Sequence, residues 1–256
     1  MHQSNNIQHI DITPSIYTNH YRLRINYVDG CKKLSLPGLF IVLQEIAGEH
    51  ATSLGFGYEQ LQHEGQFWVL AKLKAVLHNY PQWDDEIRID TWSKEPELLT
   101  AFRDFEGYDQ KGKLLFSATS AWHILNMNTN RPQRVDTRKE AFHIPAGKYA
   151  VNEKLQKIPL PTKISAEASK NVLWSDIDVN MHVNNTRYIQ WVTDALPLDL
   201  LLHRTAVEIE ANFLQQAKLG DQYYIAHEQT DADTTLMAAV RTSDHRELVA
   251  ARIVWQ

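Results

Sequence analysis

Hydrophobic positions along the chain follow two periods, one near 3.6 residues and one of two, and the same succession occurs twice. Residues 38–55 (GLFIVLQEIAGEHATSLG) place Leu39, Val42, Leu43, Ile46, Ala47, Ala51 and Leu54 at helical spacing, with Gly55 suited to cap the end. The first turns of that segment are apolar nearly all round, which predicts a helix buried on most sides. Four shorter segments follow at 69–77, 86–92, 101–109 and 113–125, alternating or rich in β-branched and aromatic residues. Turn signals such as Tyr80-Pro81, Gly107 and Gly112 divide them, so they read as strands.

The second half repeats this order. A helix is expected over 186–196 from Tyr188, Trp191, Val192, Ala195 and Leu196, with Asn184 or Asn185 at its start and Pro197 as its stop. Strands are expected over 206–214, 221–228, 235–242 and 247–256. WDDEIRID resembles LGDQYYIA, GKLLFSATSAW resembles HRELVAARIVW, and RINYVDG ahead of the first helix resembles NVLWSDI ahead of the second. The chain therefore reads as two copies of one unit: strand, buried helix, four antiparallel strands. A small sheet curled round one apolar helix is the hotdog architecture, and a single copy leaves an edge and a face uncovered that a second copy can cover. The expected class is α+β, a tandem double hotdog with two antiparallel sheets, each wrapped round a long buried helix. Its parts are an N-terminal unit over 1–145, a linker over 146–162 and a C-terminal unit over 163–256. The wider stretch 131–162 holds no sustained period and carries Arg131, Arg134, Arg138 and Lys139. That basic cluster is either a solvated surface run or a dock for an acidic partner.

Composition narrows the reading. The 256 residues are 43% hydrophobic and 22% charged, enough for a substantial core, and the net charge of −5 argues against a general nucleic-acid binder. One cysteine, Cys31, excludes a disulfide framework and a cysteine-rich metal site. The polar start lacks the layout of a signal peptide, and no apolar run is long enough to span a bilayer, so a cytoplasmic protein with no membrane insertion is expected.

Candidate chemistry concentrates in DIDVNMHVNNT, residues 176–186. Asp178, Asn180 and His182 fall at every second position, with Val179, Met181 and Val183 between them. Were this stretch extended, the polar trio would share one face and the apolar trio the other. A neutral imidazole takes a proton from water, a carboxylate orients it and stabilises its cation, and an amide donates toward an oxyanion. The trio suits hydrolysis of an activated acyl group. The corresponding region of the first copy, YVDGCKKLSLPGL, lacks Asp-x-Asn-x-His. A histidine merely hydrogen-bonded ahead of a helix is the plain alternative. Metal binding is disfavoured because no third His or Cys stands at ligand spacing, and no cofactor is expected.

NVLWSDIDVNMHVNNTRYIQWVTDALP resembles the signature of the acyl-acyl carrier protein thioesterases, tandem-hotdog enzymes that release fatty acids from carrier protein. LPGLFIVLQEIAGEHATSLGFG, FWVLAKLKAVLHNYPQWDDEIRIDTW and SATSAWHILNMNTNRP also resemble that family, so that the likeness covers most of residues 20–256. It implies Asp178, Asn180 and His182 as catalytic positions, acyl carrier protein as the partner and unit one as the main wall of the acyl pocket. Plant relatives carry a chloroplast-targeting leader; its absence here implies a bacterial-type member. One departure stands out. The family often shows Glu followed by Cys in the second strand of unit two, where this chain has Gln216 and Ala217. A Cys nucleophile is then not available, and an amide cannot take a proton from water at neutral pH, which leaves His182 as the base with Asp178 in support. Pocket candidates are Ile46, Trp68, Leu70 and Trp122; Arg131, Arg134 and Arg138 are the candidate carrier dock. Hydrolysis of coenzyme A esters, a hotdog dehydratase and non-catalytic acyl binding remain rivals. The chain could stay monomeric or form a homodimer through exposed strand edges.

Overall fold

A computed structural model describes residues 15–162 and 168–256, without the side chains of Arg138 and Lys139. Unit one runs β1 (Tyr17–Arg22), α1 (Leu36–Ser53), α2 (Tyr58–His63), β2 (Gln66–Leu77), β3 (Glu86–Glu97), β4 (Thr100–Tyr108) and β5 (Leu114–Asn126). Unit two runs β6 (Lys170–Asn171), α3 (Asn185–Asp194), α4 (Leu198–His203), β7 (Ala206–Phe213), β8 (Gln222–Gln229), β9 (Thr234–Arg241) and β10 (Glu247–Trp255). All the repeated strands and both helices lie where the periodicity predicts, within a few residues. Short α2 and α4 were not anticipated, being too brief to carry a period of their own.

The two sheets do not stay separate. Lys72–Val76 of β2 pairs antiparallel with Glu208–Asn212 of β7, so one ten-stranded sheet runs β1-β3-β4-β5-β2-β7-β10-β9-β8-β6. Joining β2 to β7 removes one edge from each copy, which the expectation of two sheets had left open. The main hydrophobic core among the described residues spans both copies, from Leu39, Leu43 and Ile46 on α1 to Ile189 and Val192 on α3. The second helix is shorter than the first, ten residues against eighteen. Gly38 permits the start of α1 to sit on the preceding turn, where a Cβ would lie 2.0 Å from the Tyr27 carbonyl oxygen. Among the described residues, no helix is long and apolar enough to cross a membrane.

The linker crosses the outer face of the sheet. The Ala150 N–H donates to Asp104 Oδ2 (2.9 Å), that of Gln156 to Glu210 Oε1 (2.8 Å) and that of Ile158 to Asn212 Oδ1 (3.0 Å). Asp104, Glu210 and Asn212 are buried, so polar groups on the strands satisfy the amides of a segment that has no ladder of its own. Ahead of it, a 3₁₀ turn over Asp136–Phe142 packs Phe142 on Phe56, ring centroids 5.3 Å apart.

Candidate active site

The 176–186 stretch is a tight turn and not a strand. The Asp178 N–H donates to the His182 carbonyl (2.8 Å), the Met181 N–H returns to the Asp178 carbonyl (3.0 Å), and Met181 takes a left-handed φ of 62°. Val179 and Met181 consequently point outward and are exposed; only Val183 is buried as a back face. Asp178 does not bond the imidazole. Its Oδ1 accepts the main-chain N–H of Asn180 (2.8 Å) and of His182 (3.3 Å), which staples the turn.

Unit one contains the same staple. Asp29 Oδ1 accepts from the N–H groups of Cys31 (2.8 Å) and Lys33 (3.0 Å). The Asp29 N–H donates to the Lys33 carbonyl, and Lys32 takes φ 62°. The copies thus match as Asp29 with Asp178, Cys31 with Asn180 and Lys33 with His182. The carboxylate is a device of the repeat, and what unit two adds is the amide and the imidazole. The aspartate of YVDGCKK carries this correspondence in the sequence, although the amide and the imidazole have no counterpart there.

The turn borders a cavity of about 710 Å³, within the range of small-molecule sites. Most of its wall comes from unit one: the small face Ala47, Gly48 and Ala51 of α1, Leu61 of α2, and Trp68 and Trp122 from β2 and β5. The small residues on α1 leave volume unfilled between that helix and the opposing side chains. Asp178, Asn180 and the exposed Val179, Met181 and Trp174 form the unit-two side. Asn184, which caps α3, and Asn185 also line it, so the positive end of that helix faces the space.

Of the pocket candidates, Trp68 and Trp122 line the cavity, whereas Ile46 and Leu70 do not. Both are core, 0% and 2% exposed, because their positions on α1 and β2 face the packed interior. His182 sits beside the wall and not on it. Its half-buried ring stacks on Phe67, a lining residue, with centroids 6.1 Å apart and planes at 21°. Burial holds its pKa below the ordinary 6.5; the Asp178 charge opposes that shift, and Lys218 adds to it. Its Nδ1 is buried without a partner among the described residues.

Gln216 does not line the cavity either, yet its segment adjoins the site. The Ala217 carbonyl accepts the Val183 N–H (3.0 Å), and the Ala217 N–H donates to Tyr188 Oη (2.8 Å). Sequence reasoning missed Gln62 of α2, whose Nε2 donates to Asn180 Oδ1 (3.5 Å) and joins the two units at the site. No group of acidic, His or Cys side chains able to hold a metal occurs among the described residues.

The arrangement offers a neutral imidazole, a nearby negative charge, an amide and a helix N-terminus beside a long apolar cavity. Residues 14–144 match the acyl-ACP thioesterase N-terminal domain and residues 161–256 the C-terminal domain. A chloroplastic palmitoyl-acyl carrier protein thioesterase of Gossypium hirsutum is 26% identical, covering 94% of this chain and 64% of the relative. A chloroplastic acyl-acyl-carrier-protein hydrolase of Cuphea viscosissima is also 26% identical, covering 92% and 60%. The chain thus spans less than two thirds of the length of either plant protein. A crystal structure of an acyl-ACP thioesterase from Bacteroides thetaiotaomicron superposes with a TM-score of 0.86 at 24% identity, covering 94% of this chain and 98% of that one. The 12:0-ACP thioesterase from Umbellularia californica gives 0.82 at 20% identity, covering 96% and 98%. At these identities the two structures speak to the fold, and the matched domains to the lineage: the chain belongs to the acyl-ACP thioesterase family.

Proposed function

We propose that the protein hydrolyses fatty acyl thioesters of acyl carrier protein, releasing free fatty acid and the carrier thiol, in a cytoplasmic setting. The carrying observation is that Asn180 and Asp178 stand on the wall of a largely apolar cavity, with the imidazole of His182 against the adjoining Phe67. In this reading unit one holds the acyl chain and unit two supplies the reacting groups. His182, kept neutral by burial, takes a proton from water as its oxygen attacks the thioester carbonyl. The carbonyl oxygen gains negative charge, which Nδ2–H of Asn180 and the N-terminus of α3 stabilise; Gln62 fixes the amide by donating to its Oδ1. The C–S bond then breaks and the imidazolium returns its proton to the departing thiolate. Asp178 contributes through its charge and through the turn it staples. Gln216, an amide off the cavity wall, removes no proton.

The carrier dock fits this geometry. Pro132 bridges to Leu125, and Leu125 is the β-partner of Phe67, so the loop holding Arg131 adjoins the site. Arg131 is exposed, while Arg134 is partly neutralised by Asp136 (2.6 Å); the Arg138 side chain lies outside the described residues. The test is thiol release from matched acyl-carrier and acyl-CoA substrates by wild type and His182→Ala. Carrier-dependent turnover that the folded variant loses is expected. Undiminished turnover in His182→Ala would reject the assignment, and a preference for CoA esters would reject the carrier.

A further inference from the structure

Far from the turn, the cavity wall changes character. Arg103 of β4 lines it and is 8% exposed. In the sheet Arg103 lies opposite Ser93 on β3, which also lines the cavity, and opposite Ser120 on β5. Ser120 in turn pairs with Leu73, six residues along β2 from Phe67. Strand rise and strand spacing then separate Arg103 from Phe67 by roughly 20 Å, backbone to backbone. One end of the cavity is the thioester-reactive turn; the other contains a guanidinium.

That guanidinium has no counter-charge among the described residues. Its Nη1 contacts His50 Nδ1 at 2.6 Å and donates to Thr91 Oγ1 at 3.2 Å, both neutral groups. Burial, with no acid offsetting it among the described residues, pulls its pKa down to about 10, and His50 is pushed to about 3 by burial first and by Arg103 next. With Nδ1 accepting from Arg103, the His50 proton resides on Nε2, which is buried without an acceptor among the described residues. Gln44 Oε1, on α1 at the cavity wall, is buried without a donor among the described residues. Buried charges are normally paired and buried polar atoms bonded, because leaving them unmet is costly. A plain hydrocarbon tail meets none of these groups.

We infer that the cavity accepts an acyl chain whose far end carries a hydrogen-bond-accepting oxygen, a carboxylate in preference to a hydroxyl, and that Arg103 determines this specificity. The inference rests on the thioesterase reading for the direction in which the chain lies. The carboxylate supplies the missing negative charge and takes the remaining N–H donors of Arg103 in a planar pair.

The experiment compares three thioesters of equal chain length, ending in methyl, hydroxyl or carboxylate, with the full chain and with Arg103→Met. Wild type should prefer the oxygenated chains, and the ratio of kcat/KM for carboxylate over methyl should fall about tenfold or more in Arg103→Met, as expected for loss of a charged hydrogen bond. Arg103→Lys, which keeps charge and loses the fork, should fall between, and it serves if the methionine variant does not fold. A wild type that prefers the methyl chain, or an oxygen preference that survives in the Arg103 variants, overturns the inference. Binding of non-hydrolysable amide analogues of the three esters, read by thermal shift, separates the two claims. Oxygen-selective binding without turnover of any ester rejects the hydrolase reading and keeps this one.

Discussion

On the proposed thioesterase reading, filling the cavity from α1 should shorten the acyl chain accepted. Gly48 lines the cavity, and a Cβ built there meets no atom within 4 Å. Gly48→Ala adds one carbon and Gly48→Leu four, into space that a chain would otherwise occupy. At ~0.8 kcal/mol per buried methylene, alanine should cost the longest accepted chain ~0.8 kcal/mol and leucine up to ~3 kcal/mol. With about 1.4 kcal/mol per decade, that is roughly fourfold and up to about 200-fold in kcat/KM. Chains too short to reach the new side chain should be unaffected. The helix itself should gain slightly, since glycine is the less favourable residue in a helix interior by roughly 0.5–1 kcal/mol. The assay is kcat/KM across a series of saturated acyl thioesters from C8 to C18, with Tm measured alongside. A uniform fall at every length, or an unchanged profile for leucine, would show that the chain does not pass Gly48.

Other outcomes are equally specific. Asp29→Ala and Asp178→Ala should each destabilise by about 2 kcal/mol, since each removes a carboxylate that accepts two main-chain N–H groups, and chemical denaturation checks this. Only the Asp178 variant should lose turnover; equal kinetic losses would undo the distinction between staple and site. Because burial holds His182 below 6.5, the acid limb of kcat/KM should lie below pH 6.5, activity being lost as pH falls through the folded pKa. Asp178→Asn removes the influence that raises that pKa and should move the limb lower still; a limb above 6.5 would contradict the base assignment. Reversing Arg131 to Glu should raise KM for an acyl-carrier substrate well beyond that for a CoA ester, and more than reversing Arg134, which Asp136 already partly neutralises.

Periodicity alone was sufficient for the ten repeated segments, their order and the duplication, because each strand and each helix buries one face and so carries its own pattern. It also marked 176–186 as the candidate site, since Asn and His there have no counterpart in YVDGCKK. Only the tertiary structure decided how those residues are arranged. Alternation is compatible with a strand or with a turn, and a left-handed Met181 with Asp178 bonded to the main chain selected the turn. Ile46 and Trp68 look alike as apolar letters; one is sealed in the core and the other faces the cavity, a difference set by how α1 docks on the sheet. The union of two sheets through β2 and β7 and the meeting of Gln62 with Asn180 are contacts between residues more than a hundred positions apart. His50, Thr91 and Arg103 also converge from three elements, with 53 and 12 positions separating Arg103 from its two partners. Local patterns record which face each segment buries, but which faces meet depends on packing among all of them.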